Sequence, residues 1–208
     1  MPIALFSQKY RRFFPHVNRA IRILTISDIL VVSGFGLIAP VFAVYLTEQI
    51  QGGSLEVVGF ASTIYLLTKS LLQIPVAEYI DQKRGEKDDF YAMLIGSILI
   101  SFTPLIYLFA TSPFHVYLAQ VLYGIGGAFT YPSWLAIFTR HIDRNKEGFE
   151  WSVYYTATDL GGALTAALGG ILAQNLGFRP LFLVVFVLSV LGSFLLLCVQ
   201  QHMRKVRE

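Results

Sequence analysis

YLLTKSLLQIP, residues 65–75, sets one lysine inside a run that is otherwise oily. An ammonium in an apolar helix is costly unless something compensates it. The reading of Lys69 therefore depends on what kind of helix carries it and what stands nearby. The surroundings answer the first part. The chain has 208 residues, 55% hydrophobic and only 14% charged, with a mean hydropathy of +0.60. A soluble domain carries about a quarter charged residues. Here the charges gather in a few short segments, separated by apolar runs near the ~20 residues that cross a ~30 Å hydrocarbon layer.

Six such runs are read at roughly 21–46, 55–79, 90–110, 114–138, 150–174 and 180–201. They predict an all-α polytopic membrane protein, folded as a single six-helix transmembrane bundle over residues 1–208. The remaining segments are a cytoplasmic arm (1–20), cytoplasmic loops at about 80–89 and 139–149, and a cytoplasmic tail (202–208). Basic residues set that orientation. The arm holds Lys9, Arg11, Arg12, Arg19 and Arg22, and the second-to-third loop holds Lys83, Arg84 and Lys87. The fourth-to-fifth loop holds Arg140, Arg144 and Lys146, and the tail holds Arg204, Lys205 and Arg207. Of the 16 Lys and Arg, only Lys69 and Arg179 are left over. Both termini are therefore expected in the cytoplasm, and the net charge of +3 calls for no nucleic-acid partner.

The same sequence narrows the function classes. The first apolar run is too long for a signal-peptide core and is expected to stay as the first span. The single cysteine, Cys198, lies in the last span, so no intramolecular disulfide and no metal cluster is expected. No Walker A loop, HExxH or serine nucleophile elbow occurs, and the segments outside the spans are too short for a catalytic domain. The chain is read as neither an enzyme nor a cofactor carrier.

Polar residues inside the spans recur at helical spacing. The second span carries Ser62, Tyr65, Lys69 and Gln73 on one face, and the fourth carries Gln120, Gly124, Gly127, Tyr131, Trp134 and Phe138. The fifth carries Ser152, Tyr155 and Asp159, running on into Gly162, Ala166 and Gly170; the first carries Asp28 with Phe35 and Phe42. Such stripes face a bundle interior or a water-filled cavity. Depth puts Asp159, and Asp28 with it, in reach of Lys69, so a desolvated ion pair is expected there. It is read either as a coupling or substrate pair lining a central cavity or as a static pair pinning helices, and Asp28 also fits a snorkelling charge near the interface. Gly162-xxx-Ala166-xxx-Gly170 is read as helix packing, within the bundle or against a second copy.

Gly34-Phe-Gly36 with Pro40 in the first span has a counterpart in Gly124-Ile-Gly126 with Pro132 in the fourth. Spans three apart cross in opposite directions, so this is the pattern of a 3+3 inverted repeat, as transporters use. Gly and Pro being common in membrane helices is the plainer account.

Ala77-Glu-Tyr-Ile-Asp81-Gln-Lys-Arg84-Gly85-Glu-Lys87 resembles the loop signature of the major facilitator superfamily, with Ala77 at the usual glycine and Gly85 one residue late. Gln120-Val-Leu-Tyr-Gly124-Ile-Gly126-Gly127-Ala128 is similar to that family's arginine-led glycine-rich motif, with Gln120 in place of the arginine. Gly177-Phe-Arg179-Pro-Leu-Phe182 is similar to its entry into the sixth span. The resemblance implies a secondary transporter that moves a small solute by alternating access between two six-helix halves, of which this chain matches the N-terminal one. It implies a gate formed by Asp81, Arg84 and Lys87, and on that reading the polar stripes make Asp28, Tyr65, Lys69, Gln120, Tyr131, Trp134, Tyr155 and Asp159 the expected lining of the path. The expected partners are the lipid bilayer, the solute, and a second copy or a separate C-terminal half; the expected location is a bacterial plasma (inner) membrane. A non-transporting membrane subunit, a scaffold or a truncated fragment is the alternative.

Overall fold

Local chemistry sets the helix ends. The structure, a computed structural model, describes residues 17–82 and 85–203. The basic arm before residue 17, Lys83, Arg84 and the tail charges lie outside the described residues. Helix α1 (Arg19–Ile38) starts at Asn18, whose side chain accepts the Ala20 N–H at 2.9 Å. It breaks in a 3-10 turn, Ala39–Val41, around Pro40 and resumes as α2 (Phe42–Glu48). Helix α3 (Leu55–Asp81) is capped by the Ser54 hydroxyl on the Val57 N–H at 3.3 Å, with Glu56 favourably placed in the first turn. Helix α4 is Lys87–Phe109, and α5 (Pro113–His141) opens on a proline, where no N–H is needed. Helix α6 (Glu147–Leu176) begins with Glu147 and Glu150, and α7 (Phe178–Leu195) ends in a 3-10 turn, Leu196–His202. Pro75, Pro104 and Pro132 sit inside continuous helices, so of the prolines compared between the first and fourth spans only Pro40 interrupts one.

Among the described residues, five segments are long and apolar enough to cross a membrane: Arg19–Glu48, Leu55–Asp81, Lys87–Phe109, Pro113–His141 and Phe178–His202. Helix α6, 30 residues long, is not among them; its sequence is rich in glycine, threonine and acidic residues. The chain is an all-α polytopic membrane protein.

Packing follows a regular scheme. Helix α1 lies against α6 and α7, α5 lies against α3 and α4, and α4 lies against α7. Small residues allow these approaches. A Cβ on Gly96 of α4 would stand 2.5 Å from the Gly126 carbonyl oxygen of α5, and one on Gly124 would stand 2.9 Å from the Tyr65 oxygen of α3. Between α4 and α7, the Ser193 hydroxyl meets those of Ser97 at 2.6 Å and Ser101 at 2.9 Å, so three buried polar groups satisfy one another. Two apolar cores result. One, including Leu24, Phe90, Ile137 and Phe138, sits toward the end where the described basic residues gather, hereafter the basic end. The other, including Leu46, Tyr107, Leu181 and Phe182, sits toward the opposite end. Helices α3 and α6 stand at the flanks and bury few residues, only Val57, Ala61 and Ile80 on α3 and Glu150, Thr158 and Gly169 on α6.

Gly177 alone joins α6 to α7, at φ 80° and ψ 179°. Side-chain-bearing residues are strained there. Gly177→Ala is expected to cost about 1–3 kcal/mol, read as a lowered thermal midpoint in detergent; an unchanged midpoint would show that this corner relaxes freely.

Candidate functional site

Between the two cores lies a cavity of about 360 Å³, walled by α1, α3, α5 and α6 and floored by Ser97, Ile100 and Leu196. Each wall comes from one helix face. Helix α1 supplies Asp28 and Phe35, two turns apart; α3 supplies Tyr65 and Lys69, one turn apart. Helix α5 contributes Tyr123, Gly127, Tyr131 and Trp134, and α6 contributes Trp151, Tyr154 and Tyr155.

The rings are layered. Tyr123 stacks between Phe35, at 4.9 Å and 9°, and Tyr65, at 4.6 Å and 20°, which ties α1, α5 and α3 together on one side of the cavity. On the side of the basic end, Trp134 packs on Phe138 at 4.7 Å and on Tyr154 at 4.8 Å, while Trp151 stacks on Tyr155 at 5.8 Å. Two charges enter this aromatic space. The Tyr154 hydroxyl donates a hydrogen bond to Asp28 Oδ2. The Lys69 ammonium lies 4.5 Å from the centre of the Tyr131 ring, a cation–π contact. Gly127 lies beside the lysine stem, where a Cβ would make an ordinary contact with Lys69 Cδ at 3.5 Å. Lys69 is thus tolerated chiefly by a ring face and by its place at a cavity rather than in lipid.

The structure brings together Asp28, Tyr65, Lys69, Tyr131, Trp134 and Tyr155 as the residue pattern suggested. Two others stand elsewhere. Gln120 is buried, 6% exposed, and donates through Nε2 to the Tyr107 hydroxyl at 3.0 Å, so its amide serves the contact between α5 and α4 rather than the cavity. Asp159 is exposed, one turn beyond Tyr155 on α6, and does not line the cavity. Among the described residues no ion pair joins Lys69 to Asp28 or to Asp159. The missed members are Tyr123, Trp151 and Tyr154. A usable signal existed for α6, since aromatic residues at 151, 154 and 155 share a face at i, i+3 and i+4.

The small-residue stripe of α6 also needs correcting within the bundle. Gly162 meets α1, its Cα 3.6 Å from where a Cβ on Gly36 would stand, but the tightest approaches are those of Gly161, Thr165 and Gly169, next to Ser33, Gly36 and Leu37 respectively. Gly162 and Gly170 have open space where a Cβ would stand. The shift is one residue, or about 100° of helix rotation.

At the basic end, Asp81 lies 3.9 Å from Arg140 Nη2, and Arg140 also pairs with Asp89 of α4. Lys87 is exposed at the start of α4, and Arg84 lies outside the described residues. Among the described residues, the basic partner of Asp81 is supplied by the last turn of α5.

Comparisons with known proteins place this arrangement. Residues 24–207 match the model of the Major Facilitator Superfamily. An uncharacterized MFS-type transporter, MJ1560 of Methanocaldococcus jannaschii, is 23% identical over 179 residues, covering 86% of this chain and 45% of that protein. The multidrug resistance protein MdtG of Dickeya zeae is 24% identical over 172 residues, covering 82% of this chain and 41% of that one. The solved structure of the POT family transporter PepTSo superposes with a TM-score of 0.70 at 13% identity, over 91% of this chain and 39% of that chain. The chain thus spans less than half the length of these relatives. With the family match running through nearly all of the described helices, the chain belongs to the Major Facilitator Superfamily, a family of membrane transporters rather than enzymes.

Proposed function

We propose that this chain forms one six-helix half of a secondary transporter that moves a small solute by alternating access. The observation that carries the reading is the cavity. It holds one carboxylate and one ammonium between aromatic walls, and its residues Tyr131 and Tyr155 remain 49% and 57% exposed, so one side is open for a second bundle to close. Six spans, α6 included, arranged as a 3+3 inverted repeat fit the packing scheme. Exchanging the first three spans for the last three turns the contacts of the first span with the fifth and sixth into those of the fourth with the second and third. The contact of the third with the sixth maps onto itself. Gly34 and Gly126 then share one role, against the sixth and third spans, and Gly36 and Gly124 the other. Equivalence is by environment and not by order within the two Gly-x-Gly motifs. The basic end is proposed to face the cytoplasm, with both termini, in a plasma membrane such as that of the bacterial relatives. Asp28, Tyr65, Lys69, Tyr131, Trp134 and Tyr155 would line the path, with Asp81 and Arg140 at the gate. Ring-lined walls suit a solute with an aromatic or apolar part, in keeping with the name of the Dickeya relative.

The chain has two tryptophans, and both line this cavity, so intrinsic tryptophan emission reads the cavity alone. Titration of the purified protein with a panel of ring-bearing cations, anions and neutral solutes should give saturable quenching by at least one of them, and that solute should be taken up by proteoliposomes. Asp28→Asn should cut uptake by ~tenfold or more, the worth of a hydrogen bond to a charged group. Saturable binding without uptake would favour the second reading, a non-transporting subunit. That reading draws on Asp28 and Lys69 each being held by a tyrosine of the same bundle.

A further inference from the structure

Lys69 and Asp159 stand at one depth on opposite flanks of the cavity. Lys69 is twelve residues short of the end of α3 at Asp81, and Asp159 is twelve residues past the start of α6 at Glu147. At 1.5 Å per residue each lies ~18 Å from the basic end, near the middle of a bilayer. Helix α3 packs on α5 and α6 packs on α1, so the two flanks do not meet within one bundle. Asp159 is exposed there, and a carboxylate at that depth is not left facing lipid. The face that carries it continues through Gly162, Ala166 and Gly170, where Gly162 and Gly170 leave open space. These residues are half-buried, and the side toward which their Cβ positions point is open to the close approach of a second helix.

We infer that the open side of the cavity is closed by a second copy of this chain, with Lys69 of each copy paired to the partner's Asp159. A two-fold axis parallel to the membrane normal, running along the cavity's open side, turns the α3 flank of one copy to face the α6 flank of the other. The depths then match without adjustment, and the operation makes two equivalent ion pairs, as a self-complementary two-fold interface requires. The partner's carboxylate supplies an ion-pair partner, of which Lys69 has none among the described residues, and the partner's Lys69 does the same for Asp159. The inference rests on the transporter reading only in taking the cavity side as the face that a second bundle covers.

Charge exchange tests it. The solubilised wild-type chain should have the protein mass of a dimer by light scattering that subtracts bound detergent. Lys69→Glu alone and Asp159→Lys alone each place two like-charge contacts in their own dimer, and should self-associate at least ~thirtyfold more weakly. Co-expressed, the two variants form a mixed dimer with two opposite-charge contacts, and association should return. To separate dissociation from misfolding, differently tagged Lys69→Cys and Asp159→Cys chains are made in a Cys198→Ser background, which is otherwise free of cysteine. A short bis-maleimide added to intact membranes should join one tag to the other. A monomeric wild type, single variants that remain dimeric, a mixture that does not recover, or no cross-link between the tags would each overturn the inference. None of these results bears on the tryptophan titration, so the transport reading stands or falls separately.

Discussion

Gly169→Ala is expected to cost about 3 kcal/mol of stability, the upper part of the usual range for overpacking. A Cβ at residue 169 would stand 2.0 Å from the carbonyl oxygen of Leu37 and 2.7 Å from its carbonyl carbon. Both atoms are backbone, so no side chain can turn aside. Either α6 must lift from α1 or the helix end before the Ala39–Val41 turn must deform. One turn away the seam is already full, because Thr165 faces Gly36 so closely that a Cβ on that glycine would stand 2.5 Å from Thr165 Oγ1. Gly162→Ala and Gly170→Ala meet nothing within 4 Å and should stay within ~0.5 kcal/mol of wild type in the monomer. Unfolding by SDS titration, followed by far-ultraviolet circular dichroism, measures all three. If Gly169→Ala unfolds at the wild-type midpoint while Gly170→Ala does not, the register of α6 on α1 is wrong by one residue.

That one-residue question marks where the sequence stops being informative. Hydropathy located the five apolar spans because lipid imposes a length on each apolar run, and the ends of these helices and of α6 fall within a few residues of the expected ones. Spacing along a single helix then put Tyr65 with Lys69, and Tyr131 with Trp134, on common faces, and all four meet at the cavity. Spacing does not say how far each helix is rotated about its own axis relative to its neighbours. Spacing therefore left the partner of the Gly162, Ala166 and Gly170 stripe open between the bundle and a second copy, while the tightest contacts with α1 fall to Gly161, Thr165 and Gly169, with Gly162 beside Gly36. The same blindness hid Tyr154 as the donor to Asp28, since tyrosines in a membrane helix serve packing and hydrogen bonding alike. Gln120 looked like a path residue because it lies on the polar stripe of the fourth span and stands where the resembling motif has its arginine. Its amide donates instead to the Tyr107 hydroxyl of α4, a partner that spacing along one helix does not disclose.

Arg140→Met should be the most destabilising single change at the basic end, by roughly 3–5 kcal/mol, the loss that follows when one member of a buried ion pair is removed. The Asp89 side chain is 1% exposed and pairs with the Arg140 guanidinium, while its Oδ1 has no hydrogen-bond partner. Position in the first turn of α4 helps a carboxylate, but by ~1 kcal/mol, too little to hold a bare buried charge. Asp81 offers no substitute for the pair, since its side chain is 74% exposed and lies 3.9 Å from Arg140. Asp81→Asn should therefore cost no more than ~1 kcal/mol. The double variant Arg140→Met/Asp89→Leu removes both charges and should recover most of the loss, because apolar residues of similar size replace buried pairs at little cost. Denaturation midpoints of the three variants in one detergent rank the contacts directly. Should Asp81→Asn prove the costliest, the end of α3 rather than the start of α4 anchors Arg140. A gate built on these residues would then swing on the loop between α3 and α4, instead of on the seam between α4 and α5.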